Sequence, residues 1–214
     1  AESYKMILRQ GGTMSDIYAS HLKQDYQGNI LANGGVQKDD NDFVKVGSAA
    51  PRYNISLRNT FAWKGIELGF MLDARVGGVV VSATQALMDQ FGVSQQTADA
   101  RDAGGVKVNN GLINAEQYYG VVAGGRTGLL AHYAYSATNV RLREMSISYD
   151  LPTSWFANKL KVNVSLTGHN LLMLYNRAPF DPELTANTGT YYQGFDYFMP
   201  PSQRSLGFGV KVNF

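Results

Sequence analysis

The side chains able to do chemistry are few and scattered. His21, His132 and His169 are the histidines of the 214-residue chain, and it has no cysteine. No second ligand stands near any of them at zinc spacing, and a Cys-ligated zinc or iron–sulfur centre is excluded. Asp181 and Glu183 lie two apart, as acid/base carboxylates can, but Pro182 between them favours a turn. Asp39, Asp40 and Asp42 offer oxygens to calcium, yet no bidentate Glu closes that loop and no Gly fills its sixth position. Gly77-Gly78, Gly104-Gly105 and Gly124-Gly125 do not open a helix after a buried strand, as a dinucleotide site requires. They suit loops of positive φ. No Ser/His/Asp arrangement can be argued. The expectation is a non-enzyme that holds no metal and no cofactor.

Two other groups suit binding. Tyr118, Tyr119, Tyr133 and Tyr135, then Tyr191, Tyr192, Phe195, Tyr197 and Phe198, crowd two long segments. Sugar rings stack on such faces, Tyr adds a polar tip, and peptides suit them too. Loop packing or docking of a partner protein would use the same residues. Arg141, Arg143 and Glu144 form the second group. They suit an anionic substrate, or a structural cluster paired across strands to Asp or Glu. Arg141 and Arg143 share strand parity with Met145, so they are expected above any apolar band. Arg at mid-membrane costs ~2–4 kcal/mol.

Composition narrows the classes. Hydrophobic residues are 44%, aromatic residues 12% and charged residues 17%, with a net charge of +2. Disorder is disfavoured, and so is a basic nucleic-acid binder, because no run of five Lys/Arg exists. No eighteen-residue apolar stretch occurs, which rules out a bundle of membrane helices. The chain opens Ala1-Glu2-Ser3-Tyr4-Lys5 without a charged and then apolar leader. The expectation is a processed chain or a piece of a longer one.

The elements that position these residues are strands. Leu206, Phe208, Val210, Val212 and Phe214 alternate strictly with Ser205, Gly207, Gly209, Lys211 and Asn213. Tyr53, Ile55, Leu57, Phe61 and Trp63 do the same, broken only by Asn59. Ile66, Leu68, Phe70, Leu72, Ala74 and Val76 follow after Lys64-Gly65, a hairpin-length connection. Met145 to Leu151 and Leu160 to Thr167 repeat the pattern. An eleven-residue strand spans roughly 36 Å and, tilted ~45°, covers about 25 Å of membrane normal. Tyr53, Trp63, Tyr149 and Phe214 near the strand ends suit interfacial girdles. Short connections alternate with long ones near 77–138 and 173–203, as in outer-membrane barrels. Ala83 to Phe91 and Thr97 to Ala103 suit short helices. Asp16 to Tyr26 suits a strand within an otherwise loop-like region 1–52.

The expected fold is therefore all-β: the C-terminal antiparallel strands, about five or six, of a large transmembrane β-barrel with long extracellular loops. Residues 1–52 would be an extracellular loop region and 53–214 the barrel strands. A barrel needs ~8 strands, so others must come from elsewhere. Arg58, Asp73, Arg75, Lys161, Asn163 and Lys211 would line the lumen. Phe208, Val210, Val212 and Phe214 would form a barrel-assembly signal. A small self-contained outer-membrane barrel or a soluble carbohydrate-binding β-sandwich are the alternatives.

Several ordered motifs add to this. Pro51-Arg52-Tyr53, Trp63-Lys64-Gly65-Ile66-Glu67-Leu68, Arg75-Val76-Gly77-Gly78, Gly92-Val93-Ser94, Val140-Arg141-Leu142-Arg143-Glu144, Ser148-Tyr149-Asp150-Leu151-Pro152, Gly168-His169-Asn170-Leu171 and Asp181-Pro182-Glu183 precede the closing strand. In order and spacing they resemble the C-terminal region of the SusC/RagA family of TonB-dependent outer-membrane transporters of the Bacteroidetes. The resemblance implies a 22-stranded barrel with a plug and a TonB box supplied by other parts of the protein. It implies a SusD-like surface lipoprotein as lid, coupling to the TonB complex, a surround of outer-membrane lipid, and import of oligosaccharides or oligopeptides.

Overall fold

The computed structural model describes residues 3–32, 34–39, 41–157, 159–183 and 192–214. Its strands in chain order are β1 (Tyr4–Met6), β2 (Asp16–Ala19), β3 (Val44–Ser48), β4 (Tyr53–Trp63), β5 (Ile66–Val76), β6 (Val79–Ser82), β7 (Val106–Val108), β8 (Gly111–Ile113), β9 (Ala134–Ser136), β10 (Asn139–Asp150), β11 (Lys161–Asn176), β12 (Phe195–Asp196) and β13 (Ser205–Asn213). The α-helices among the described residues are α1 (Ala83–Gln90), α2 (Gln95–Asp102) and α3 (Ala115–Val122), with one 3-10 turn at Thr153–Phe156.

The five long strands form one antiparallel sheet in the order β13-β11-β10-β5-β4, an up-and-down path. Lys64 and Gly65 join β4 to β5 with φ of 46° and 85°, the doubly positive pair of a hairpin turn that matches strand twist. The register places Trp63 opposite Ile66 and Tyr53 opposite Val76. The alternation of each strand therefore lines up across the sheet. Ile55, Leu57, Phe61, Ile147, Leu166 and Phe208 are all exposed on the apolar face, the last at 72%. Thr60, Gly69, Ser146, Thr167 and Gly207 form one row of the opposite face. The outer strands β4 and β13 pair on one side only among the described residues.

Two compact units emerge, and they interleave. One gathers residues 1–50, 78–136 and 183–200, the other 51–77, 137–182 and 201–214. These bounds differ from the expected division into 1–52 and 53–214. Segments 78–136 and 183–200 leave the sheet as long insertions and pack with residues 1–50. The first unit holds the buried apolar cluster of the described residues, with Ile17, Val81, Val122, Leu130 and Tyr133 at its centre. Among the described residues the long sheet adds none to that cluster.

Within the first unit β1-β2-β3 and β12-β6-β9 form two small sheets and β7-β8 a third. The strand expected over 16–26 is confined to β2. The region 77–138 carries a third helix, α3, that the apolar pattern did not announce. Each helix begins on a short polar side chain. The Ser82 Oγ accepts from the Gln85 N–H at 3.1 Å, Ser94 from Thr97 at 3.2 Å and the Asn114 Oδ1 from Glu116 at 2.8 Å. In β3, Gly47 has φ of +151°, and a Cβ there would lie 2.3 Å from the Val79 Cγ2. Only glycine lets β3 approach β6 this closely.

Candidate functional site

The polar face of the long sheet is graded along its length. The row Thr60, Gly69, Ser146, Thr167, Gly207 is small throughout, and a Cβ on Gly69 or Gly207 would meet a hydroxyl at 2.8 Å. Toward the Lys64-Gly65 turn lie Asp150, Asn163 and Lys211, with the Asn163 amide donating to Asp150 at 2.7 Å. Toward the other end lie the ion pairs. Arg58 donates to Glu144 at 2.8 Å, with His169 3.8 Å from the same carboxylate. Asp73 accepts from Ser56 at 2.7 Å and from Arg143 at 2.8 Å. Arg75 lies opposite Asn54 and Asn139, and Lys161 opposite Asn213. Arg58, Asp73, Arg75, Lys161, Asn163 and Lys211 thus share one face, whereas Phe208, Val210 and Val212 occupy the other.

The arginines of β10 are not where parity put them. The register shifts between Leu142 and Glu144, so Leu142 faces Leu72 while Arg141 falls opposite Asp73. One inserted residue reverses the alternation beyond it. Arg141 and Arg143 therefore join the polar face instead of the face of Met145. Arg141 is nearly buried and bonded to the Asn139 Oδ1 at 3.0 Å, to Ser202 at 2.9 Å and to Asp181 in an ion pair. The cluster is paired to carboxylates, as the structural reading expected, with Asp181 as one partner. The Asp39 Oδ1 accepts from the Asn41 and Asp42 amides in an Asx turn, and Asp40 lies outside the described residues. No group of three metal-ligating side chains occurs among the described residues.

The aromatics divide by burial. Tyr118, Tyr119 and Tyr133, for which binding and loop packing were both open, are core residues, and Tyr135 is half-buried. Tyr133 donates to Asp89 at 2.9 Å, and burial beside that carboxylate holds its phenol far above the usual range. Burial pushes Tyr118 and Tyr135 up to about 12. These hydroxyls stay protonated and serve packing. The apolar neighbours that bury them come from distant segments, which is why local composition could not separate them from surface rings.

Tyr192, Phe195 and Tyr197 behave differently; Tyr191 lies outside the described residues. They form a ladder with Tyr4 and Phe198. Tyr4 stacks on Tyr192 at 5.9 Å and meets Phe195 edge-on at 5.7 Å, Phe195 stacks on Tyr197 at 6.5 Å, and Tyr197 meets Phe198 at 5.2 Å. Tyr4 and Phe195 anchor it from within, while Tyr192, Tyr197 and Phe198 remain exposed. The Tyr4 hydroxyl donates to the Gln193 carbonyl at 2.8 Å and ties the segments together. Tyr4 was not singled out by sequence, since its partners lie about 190 residues away.

Comparisons with known proteins bear on this geometry. No family model matches the chain. It is 22% identical over 97% of its length to TonB-dependent receptor P3 of Formosa agariphila, covering 23% of that protein. A chain of the RagAB peptide importer in the closed-closed state matches 94% of it at a TM-score of 0.60 and 18% identity, over 24% of its own length. The same importer in the open-open state matches at 0.58 and 17% identity, again over 94% of this chain and 23% of its own. The chain thus spans about a quarter of the relatives it matches and has the fold of that quarter. The resemblance to SusC/RagA-like transporters seen in its motifs extends along nearly the whole chain.

Proposed function

We propose that this chain is a wall-and-loop portion, from the C-terminal region, of a SusC/RagA-like TonB-dependent importer of the bacterial outer membrane. The observation that carries this reading is the two-faced sheet. One face is apolar and exposed along five strands in register, and the opposite face is polar along the same rows. An exposed apolar surface of that extent needs an apolar phase against it. A barrel wall gives it lipid and gives the polar face a water-filled lumen. A soluble sandwich would bury that apolar face against a second sheet. The one-sided pairing of β4 and β13 suits continuation into further strands.

In this reading Arg58, Asp73, Arg75, Lys161, Asn163 and Lys211 line the lumen or meet the plug. Phe208, Val210, Val212 and Phe214 serve as assembly signal. The first unit is the extracellular part. Its exposed rings Tyr192 and Tyr197 touch substrate or a SusD-like lid lipoprotein. The substrate is an oligopeptide or an oligosaccharide, the former favoured by the RagAB likeness. Energy comes from the TonB complex through a plug on another part of the protein.

This chain has no cysteine, so an introduced one is a distinct label on it. Ile147→Cys and Ser146→Cys are neighbours on opposite faces. In outer membranes, a charged maleimide should label the Ser146→Cys variant and spare Ile147→Cys, which only a lipid-soluble reagent reaches. Equal labelling of both by the charged reagent would sink the barrel reading.

A further inference from the structure

The first unit contains a cavity of about 630 Å³ beside the aromatic ladder. Tyr4, Tyr192 and Phe195 form one wall and the 124–128 loop another. The charged lining residues, among those described, are Lys38 and Arg126. Both are cations, and no carboxylate is among the described lining residues. Arg126 is exposed and makes no ion pair among the described residues. The loop carrying it is held at its far end: Gly128 has φ of +67°, and a Cβ there would lie 2.8 Å from the Ala86 Cβ and 2.9 Å from the Val122 carbonyl. The backbone that carries Arg126 is thereby held close to the cavity wall.

We propose that this cavity binds the carboxylates of an acidic oligomer, which gives the importer reading above a substrate class. A guanidinium fork matches a carboxylate in two parallel hydrogen bonds, and such charge-assisted bonds are the strong ones. Lys38 adds a second positive charge. The Tyr192 ring supplies an apolar face beside them. A neutral ligand makes only the weaker hydrogen bonds of an uncharged acceptor, and a cationic one is repelled. Acidic side chains of a peptide and uronate groups of an oligosaccharide present the same chemistry.

The test uses the whole detergent-extracted transporter with its native partners. Four probes are titrated by calorimetry: an amidated Asp/Gly pentapeptide, its Asn/Gly counterpart, trigalacturonate and maltotriose. At least one acidic probe should bind about ten-fold more tightly than its neutral counterpart, with a preference that shrinks as salt rises. A Lys38→Ala, Arg126→Ala double variant should lose that preference, and Arg126→Lys should restore part of it. The acidic probe that binds identifies the source of the carboxylate. Equal binding of acidic and neutral probes, or an intact preference in the double variant, overturns the proposal. The labelling experiment reads the importer independently: acidic preference that depends on Arg126 in a chain failing that test would leave the site standing and the importer reading fallen.

Discussion

Arg141 and Asp181, forty positions apart, form an ion pair whose side chains are 4% and 7% exposed. Ser202 bonds both members, donating to Asp181 and accepting from Arg141. The pair therefore ties β10 to the segments that follow β11 and precede β13. Removing one charge leaves the other buried without compensation. Asp181→Ala should cost about 3–5 kcal/mol. Thermal melting of the purified protein checks this. An Arg141→Met, Asp181→Leu double variant should recover most of the loss, because a buried apolar pair of similar volume carries no desolvation cost.

The two faces of the long sheet should respond oppositely to one substitution. Leu166→Arg would place a cation in the apolar band at an expected cost of about 2–4 kcal/mol. Ser165→Arg, its neighbour on the polar face, should cost far less. Folding yield into liposomes across a urea series measures both. Equal penalties would contradict the assignment of faces.

Gly47→Ala should destabilise the first unit selectively. Its φ of +151° and the 2.3 Å approach to Val79 leave an added Cβ no room, and strain of this kind costs about 1–3 kcal/mol. Limited proteolysis should nick the 78–136 segment faster in the variant while the long sheet stays resistant.

Acid should weaken the β2-β3 junction. The Lys45 ammonium hydrogen-bonds the Asp16 carboxylate, and Thr13 adds its hydroxyl and its amide, which lowers Asp16 to about 2. The folded-state value lies below the unfolded one. The stabilisation is therefore fully present above the ordinary carboxylate range and disappears as pH falls toward 2. Melting temperature followed from pH 7 to pH 2 should drop along this limb, and Asp16→Asn should flatten it while lowering stability at neutral pH.

How much of this was legible follows from the range over which each feature is decided. The long strands could be read because side chains alternate locally. Leu206 and Phe208 share a face whatever lies beside them, and Lys64-Gly65 can make only a tight turn. The polar set from Arg58 to Lys211 followed from the same period. Two of the three helices were visible, whereas α3 was hidden by Tyr118, Tyr119 and Val122, whose apolar pattern is also that of a packed loop.

Sequence alone thus determined strand identity and, within each unbroken strand, which residues share a face, since period two belongs to the extended chain itself. Tertiary structure decided the rest. One inserted residue near Arg143, visible only in the pairing with β5, carried Arg141 to the polar face. Contacts across the chain put Tyr133 in a core and left Tyr192 at a surface. They also joined residues 1–50, 78–136 and 183–200 into one unit, because burial depends on which distant segments meet, and no local pattern encodes that meeting.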